Sequence, residues 1–371
     1  SASGISVGWN AGTNNITGLI IQGNIISNIN ASILDWSKGQ GAYGIMIDHG
    51  THGGQTKGAQ IINNKISGLD GSWAHGIGLE GDTPDAVVTG NTISDLTDNK
   101  DGTDAVAVHF EDNPGAGTVK VNNNSFSSVN IGINGVDSNT GTVDATNNWW
   151  GMASGPSGVH KGAGSAVSEN INYRPWLLEE NGVTYDQTIA LTEENQWTLV
   201  SADQLLSAAP TITDDVADSA TVIMAYIDGE FVNISESPSA QEDIVKPVSA
   251  FFIKTTNKAG VGFNYSASSS NPVTITTKEL SVGWNLIGTN NIGKVADELS
   301  TIQNTEQTAG MLTLYVPDTY NARKDLNTLW GETDANHNLN AYPINNLPSK
   351  NLYPYDGYWV NMSTTRSYSG L

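Results

Sequence analysis

Apolar and polar residues alternate along the first half of the chain in short runs, and the runs recur. In one pattern an alternating apolar pair leads into an asparagine: Asn24 in IIQGNII, Asn64 in IINNKI, Asn91 in VVTGNTI, Asn124 in VNNNSF and Asn148 in ATNNWW, separated by 40, 27, 33 and 24 residues. Between these lies a second series: Gly4 in GISV, Gly44 in GIMI, Gly76 in GIGL, Ala105 in AVAV and Gly132 in GING, spaced by 40, 32, 29 and 27. A period of two marks strands with one apolar face. Two short strands per repeat cannot form a domain alone, because each leaves its apolar side in water. Stacking successive repeats as coils buries those sides against one another. The pattern predicts Ile20, Ile62, Val88 and Val121 in one buried column and Ile45, Ile77, Val106 and Ile133 in another. The recurrent Asn is expected at a turn in the left-handed conformation, which Asn tolerates better than most residues. Stacked Asn side chains can also hydrogen-bond from coil to coil.

The repeats end in NNWWGMASGPSGV and, after a short interval, INYRPWL. Trp149, Trp150 and Trp176 are expected to close the apolar stack there. With these motifs, residues 4–176 resemble the right-handed parallel β-helix superfamily of pectate-lyase-like, carbohydrate-binding and sugar-hydrolase repeats, and the terminal segment is similar to the last coil of prokaryotic adhesin-like surface proteins. The resemblance implies a right-handed parallel β-helix. Gly4-Ile5-Ser6-Val7 already fits the second strand of a coil. Further coils upstream, or a partner subunit, are therefore expected to cover the first coil.

From about residue 185 the pattern changes to a duplication. QWTLVS at 196–201 matches GWNLIG at 283–288, VIMAYIDGEFVNI at 222–234 matches MLTLYVPD at 311–318, and PVSAFFIK at 247–254 matches PYDGYWVN at 354–361. Two copies of one β unit can pair into a sandwich or barrel. Ala202–Ala209 and Val295–Ile302 are expected as short helices. The GWNLIG-to-GYWV pattern resembles a module on the C-terminal side of archaeal and bacterial surface-layer and adhesin-like proteins, which implies an extracellular, cell-surface location. Tyr315, Tyr358 and Trp359 are expected in the core rather than on a ligand platform. The expected fold class is all-β, with a parallel β-helix over 1–178 and β-rich module copies over 185–275 and 276–371.

Charge narrows the partners. With 38 acidic against 16 basic residues the net charge is −22, so neither nucleic acid nor an anionic membrane is attracted by charge. There is no cysteine, which removes disulfides and thiolate chemistry. No run of about 18 apolar residues is present, so no membrane-spanning helix is expected. Asn-x-Ser/Thr sequons at Asn15, Asn30, Asn123, Asn233, Asn264 and Asn361 are glycosylation candidates, although a chain this rich in Asn, Ser and Thr produces several by chance.

Candidate chemistry gathers behind the second strand of each coil: Asp48 and His49, then Glu80 and Asp82, then His109, Glu111 and Asp112. Stacked across coils, these make an acidic, His-bearing strip. Asp48, Glu80, His109 and Glu111 could serve a glycoside hydrolase as acid and base, or a polysaccharide lyase. A lyase acting beside a uronate needs cations, and residues 1–173 contain no Arg and only scattered Lys. Ala74-His75-Gly76 is a poor match to the Gly-His-Gly motif of polygalacturonases and is expected as a stacked turn. His49, His52 and His109 are expected as surface or loop residues. Calcium is the one cofactor suggested, with two loops as candidates: Asp98, Asp101 and Asp104 in DNKDGTD, and Asp334, Asn336 and Asn338 in DANHNLN. Leu339 stands where such loops need Gly, and Asp/Asn turn chemistry explains both loops equally well. The sequence-based expectation is an extracellular structural protein of a surface layer, sheath or adhesin that self-associates or binds glycans. The alternative is an extracellular polysaccharide lyase or glycoside hydrolase.

Overall fold

The chain is all-β. The computed structural model describes residues 1–8, 13–31, 40–49, 54–99, 105–113, 115–136, 141–202, 204–217, 220–227, 229–234, 241, 248–266, 278–289, 293–294, 311–315, 342–343, 351–352, 357–362 and 365–368. It divides into two compact units, Ser1–Ala190 and Leu191–Leu371, so both copies of the duplicated module fall in one unit.

In the first unit the chain visits three parallel sheets in turn. The first sheet takes Ala2–Val7, Gly41–Asp48, Trp73–Glu80, Ala105–Glu111 and Ile131–Asn134, and ends on Gly164–Val167 and Pro156–Gly158. The second takes Ile20–Gln22, Gln60–Ile62, Val87–Thr89, Lys120–Asn122, Val143–Asp144 and Ile171–Asn172. The third takes Ile25–Asn30, Lys65–Gly71, Thr92–Asp98 and Ser125–Ser127. The core is built from columns: Ile21, Ile61, Val88 and Val121 in the second sheet, and Ile26, Ile66, Ile93 and Phe126 in the third. In the first sheet the column is Ile45, Ile77, Val108 and Ile133. Each such buried side chain contributes about 1.5–3 kcal/mol relative to exposure. Two expected columns are thus corrected, one by a single residue at Ile20 and Ile62 and the other by two residues at Val106. Ile20 is 58% exposed and Ile21 lies inside, as does Ile61 rather than Ile62. Val108, not Val106, continues the column of Ile77.

The Asn ladder is continuous, but the strained turn residue precedes it. Positive φ falls on Gly23, Asn63, Gly90, Asn123 and Asn147, each one residue before a ladder Asn. That corner frees the next side chain to point inward along the stack. The side-chain Nδ2 of Asn24 donates to Asn64 Oδ1 at 2.9 Å, Asn64 to Asn91 at 3.0 Å, Asn91 to Asn124 at 3.0 Å and Asn124 to Asn148 at 3.1 Å. Each of those oxygens also accepts the backbone N–H of the preceding ladder Asn at 2.8–3.0 Å. The ladder Asn side chains thereby satisfy the buried N–H of each corner's Asn, while the neighbouring corner amides bond to backbone carbonyls of adjacent coils.

The stack is closed by large aromatics. Trp150 and Trp176 are fully buried, Trp150 lying 5.2 Å from the Phe126 ring. Trp176 Nε1 donates to Ala153 O at 2.8 Å. Trp149 is only partly buried, and its backbone accepts from Phe126 N at 2.8 Å.

In the second unit the duplicated motifs form two antiparallel sheets of the same order. One runs Trp197–Ser201, Ala250–Thr255, Thr221–Ile227, Glu230–Asn233, and the other Gly283–Ile287, Gly357–Met362, Met311–Tyr315, Tyr342–Pro343. The registers coincide position for position. Trp197 pairs Lys254 as Trp284 pairs Asn361, and Ala225 pairs Phe251 as Leu314 pairs Tyr358. Leu199, Ala250 and Leu286 share one buried cluster. A Cβ at Gly357 would meet Leu199 Cγ at 2.3 Å, so the two sheets touch there. Ala250 and Gly357 are equivalent positions of the two copies, as are Leu199 and Leu286, so the contact has a pseudo-two-fold character. Of the two expected helices, Ala202–Ala209 is instead an irregular stretch in which Leu206 bridges Tyr265, and 295–302 lies outside the described residues. Tyr358 is fully buried.

Candidate functional site

The outward face of the first sheet carries the polar groups. Alternation along Gly41–Asp48, Trp73–Glu80 and Ala105–Glu111 turns out the residues between the core positions. Parallel register then sets Tyr43 beside His75, Met46 beside Gly78 beside His109, and Asp48 beside Glu80 beside Glu111. The expected strip Asp48–Glu80–His109–Glu111 is therefore brought together on neighbouring rungs. His75 and Tyr43 join it, although they were not expected in it. His75 is no stacked turn: it sits inside a strand, 4% exposed, with its ring 5.3 Å edge-on from Tyr43 and 4.1 Å from the tilted ring of His109. Tyr43 stands five residues before Asp48 and His75 five before Glu80, an odd spacing that strict alternation assigns to opposite faces, so the sequence pattern held no signal for either.

Gly78 makes room for this cluster. A Cβ there would lie 3.6 Å from Glu80 Oε1 and 3.6 Å from Tyr43 Cδ1, so the carboxylate and the aromatic ring lean over the missing side chain. Glu80 Oε1, both ring nitrogens of His75 and Nδ1 of His109 are buried there without a hydrogen-bond partner among the described residues. Buried polar atoms of that kind are uncommon and mark strain or a ligand position. None of the strands of this sheet contains Lys or Arg.

The electrostatics follow from burial and like charge. Burial, then the carboxylates of Glu111, Asp48 and Asp112, push the Glu80 carboxyl up to about 8. Glu111 is raised by burial and by Asp112 and Asp48. Burial raises the Tyr43 phenol, with Glu80, Glu111 and Asp48 adding to it. Burial, then His109, lowers His75 to about 3, and burial lowers His109 to about 4. Both imidazoles are neutral at pH 7. The 3.8 Å approach of His109 Nε2 to Glu111 Oε2 is then not an ion pair at that pH. The cluster can accept hydrogen bonds, hold a proton on Glu80 and bind a cation.

The remaining candidates disperse. His49 is buried rather than superficial, bonded through Nε2 to Thr56 Oγ1, and His109 is a strand residue. His52 lies outside the described residues. Asp82 accepts from Gln55 Nε2 at 3.1 Å, and Asp112 occupies a corner at φ 45. Among the described residues no group of three His or carboxylate side chains is placed to hold a metal ion. The two tilted imidazoles of His75 and His109 are stacked, which keeps their in-plane lone pairs from converging on one ion. Of the calcium candidates, Asp98 is buried at the end of a strand, while Asp101, Asp104, Asp334, Asn336 and Asn338 lie outside the described residues. Of the sequons, Asn15, Asn30, Asn123 and Asn264 are exposed, Asn233 is half-buried, and the side chain of Asn361 lies outside the described residues. No described helix is long and apolar enough to cross a membrane.

A second polar cluster lies at the closing end. Arg174 Nη2 meets His160 Nε2 at 3.1 Å and stacks over Tyr173 and Trp176 at 5.5 and 5.8 Å. Burial, then Arg174, lowers His160 to about 4. These aromatic and cationic contacts hold the segment around Arg174 and His160 against the buried Trp176. Comparisons with family models, with curated proteins and with solved structures found no match for this chain.

Proposed function

We propose that this chain is an extracellular protein of a cell-surface layer, sheath or adhesin, built on a parallel β-helix, that binds polysaccharide on the outward face of its first sheet. The observation that carries this reading is the Tyr43–His75–His109 row standing beside the Asp48–Glu80–Glu111 row over Gly78. Aromatic and imidazole faces suit the apolar face of a sugar ring, and carboxylates accept its hydroxyl protons. The duplicated C-terminal module and the acidic balance support a surface location. The test is binding to a panel of neutral, acidic and amino polysaccharides by affinity electrophoresis. Retardation by at least one of them that is lost in Glu80→Gln/Glu111→Gln is the expected result. Unretarded migration of the unaltered chain throughout the panel would end the reading.

A second reading has its own observation. Glu80 keeps its proton near neutral pH between acidic neighbours, as a general acid must. Glu80 and Glu111 stand on neighbouring rungs of the sheet, and retaining glycosidases hold their two carboxyl groups about 5–5.5 Å apart. Glu80 would protonate the leaving oxygen and Glu111 would attack the anomeric carbon. Release of reducing ends that stops in both Glu80→Gln and Glu111→Gln would favour hydrolysis over passive binding.

A further inference from the structure

We infer that the notch over Gly78 is a subsite for the protonated amino group of an amino sugar, so that the polysaccharide bound here is one with free amines. The inference rests on the glycan reading above and names the ligand class of the same site.

Hydrogen bonding, the aromatic wall and charge carry the argument together. Glu80 Oε1, both ring nitrogens of His75 and Nδ1 of His109 are buried without partners among the described residues. A neutral imidazole offers one acceptor nitrogen and one N–H donor, and an ionised carboxylate offers acceptors only. An ammonium group supplies three donors, enough for the ionised Glu80 carboxylate and an imidazole acceptor nitrogen. The wall of the notch is aromatic, with the Tyr43 ring 3.6 Å from the position a Gly78 Cβ would take, and an aromatic face attracts an organic cation. Charge points the same way. Asp48, Glu80 and Glu111 occupy successive rungs of a sheet whose strands hold no Lys or Arg. Like charges directly opposite one another destabilise a sheet, and a bound cation removes that repulsion. An uronate polymer would add to it.

The ligand should displace the proton from Glu80, since a cation favours the ionised carboxylate. This gives a readout beyond affinity. Glucosamine oligomers and fully N-acetylated oligomers of the same length are titrated into the whole chain by calorimetry at pH 6, in buffers of different ionisation heat. The free-amine oligomer is expected to bind at least about tenfold more tightly, about 1.4 kcal/mol, and to release protons on binding. Glu80→Gln should abolish the proton release and weaken binding. Gly78→Ala should weaken binding as well. Its added methyl makes ordinary contacts at 3.6 Å and Gly78 is not at positive φ, so the fold should tolerate it, as a melting curve will show. Equal binding of the two oligomers, or binding unchanged in both variants, overturns the ammonium subsite while leaving the glycan reading in place. Failure to bind either oligomer together with failure to bind any polysaccharide of the panel overturns both.

Discussion

Removing one rung of the Asn ladder should cost more than removing its end, and the structure gives the difference. Asn91 is 1% exposed. Its Oδ1 accepts from Asn64 N at 2.9 Å and Asn64 Nδ2 at 3.0 Å, and its Nδ2 donates to Ile61 O at 2.9 Å and Asn124 Oδ1 at 3.0 Å. In Asn91→Ala the buried amide of Asn64 loses its acceptor and the Ile61 carbonyl loses its side-chain donor. Asn124 Oδ1 keeps the backbone N–H of residue 91 at 2.9 Å. Each buried group left unsatisfied costs about 1–3 kcal/mol, so the expected loss for these two is about 2–6 kcal/mol. Asn24, the first ladder Asn of this sequence, is only half-buried. Its Nδ2 bonds to Asn64 Oδ1 and to the exposed Gln22 carbonyl, while Asn64 Oδ1 retains the backbone N–H of residue 24. Asn24→Ala should therefore cost about 1 kcal/mol. Urea unfolding, followed through the fluorescence of buried Trp150 and Trp176, compares the two variants at equal slope. Equal losses for the two, or a loss below about 1 kcal/mol for Asn91→Ala, would refute the claim that the ladder satisfies the corner rather than decorating it.

Glu80 is raised to about 8 against an unfolded value of 4.5, so the folded chain holds a proton that the unfolded chain releases between these values. Its stability contribution is present below about 4.5 and lost as pH rises to about 8, and Glu80→Gln should flatten that fall in urea midpoints measured from pH 5 to 9. His75 has the opposite sign: lowered to about 3 from 6.5, it costs stability as pH falls below 6.5, and His75→Phe should shrink the acid-side loss. Gly135, at φ 90, would place a Cβ 1.9 Å from Phe110 O, whereas Gly18, at φ 69, has open space around it. Gly135→Ala should therefore lower the melting temperature far more than Gly18→Ala, whose cost is about 1 kcal/mol from backbone strain alone. The proposed surface-layer or sheath role predicts that the chain self-associates, with Ca²⁺ increasing the effect. Sedimentation showing only monomer at high concentration with Ca²⁺ would count against that role.

The repeat of short parallel strands was legible because asparagine marks one fixed corner, and the true core lies three residues before it at Ile21, Ile61, Val88 and Val121. Where two isoleucines stand together, as in Ile20-Ile21 and Ile61-Ile62, hydrophobicity does not choose the strand phase. The corner does, and it turns at the residue before the Asn. Ala105-Val106-Ala107-Val108 repeats itself every two positions, so a slip of one pair is invisible in the sequence. Ala107 nonetheless follows Gly44 and Gly76 in the inward column, for a Cβ at Gly76 would meet Ile93 Cγ2 at 2.6 Å and Ala107 O at 2.7 Å. The duplication itself was legible, and the matched motifs form strands that pair in matched order, although the sequence did not indicate which strands pair or in what register.

The site was half legible for a different reason. Its carboxylates could be counted off coil by coil, but its most informative member is an absence, the side chain missing at Gly78, and no residue type announces a notch. His75 sat between an alanine and a glycine and resembled a turn. A strand accepted those small residues because Ala74 and Gly76 are pressed into the core while the imidazole turns out. A coil stack needs none of this. Elsewhere the neighbouring rungs hold pairs that cost nothing, such as Ser67 beside Ser94 beside Ser127 and Thr92 beside Lys65. Asp48, Glu80 and Glu111 are the place where like charges are set opposite one another and next to buried imidazoles whose protons are suppressed. Each of those choices opposes folding, and their meeting over one glycine is what separates this face from the rest of the stack as a site that something else completes.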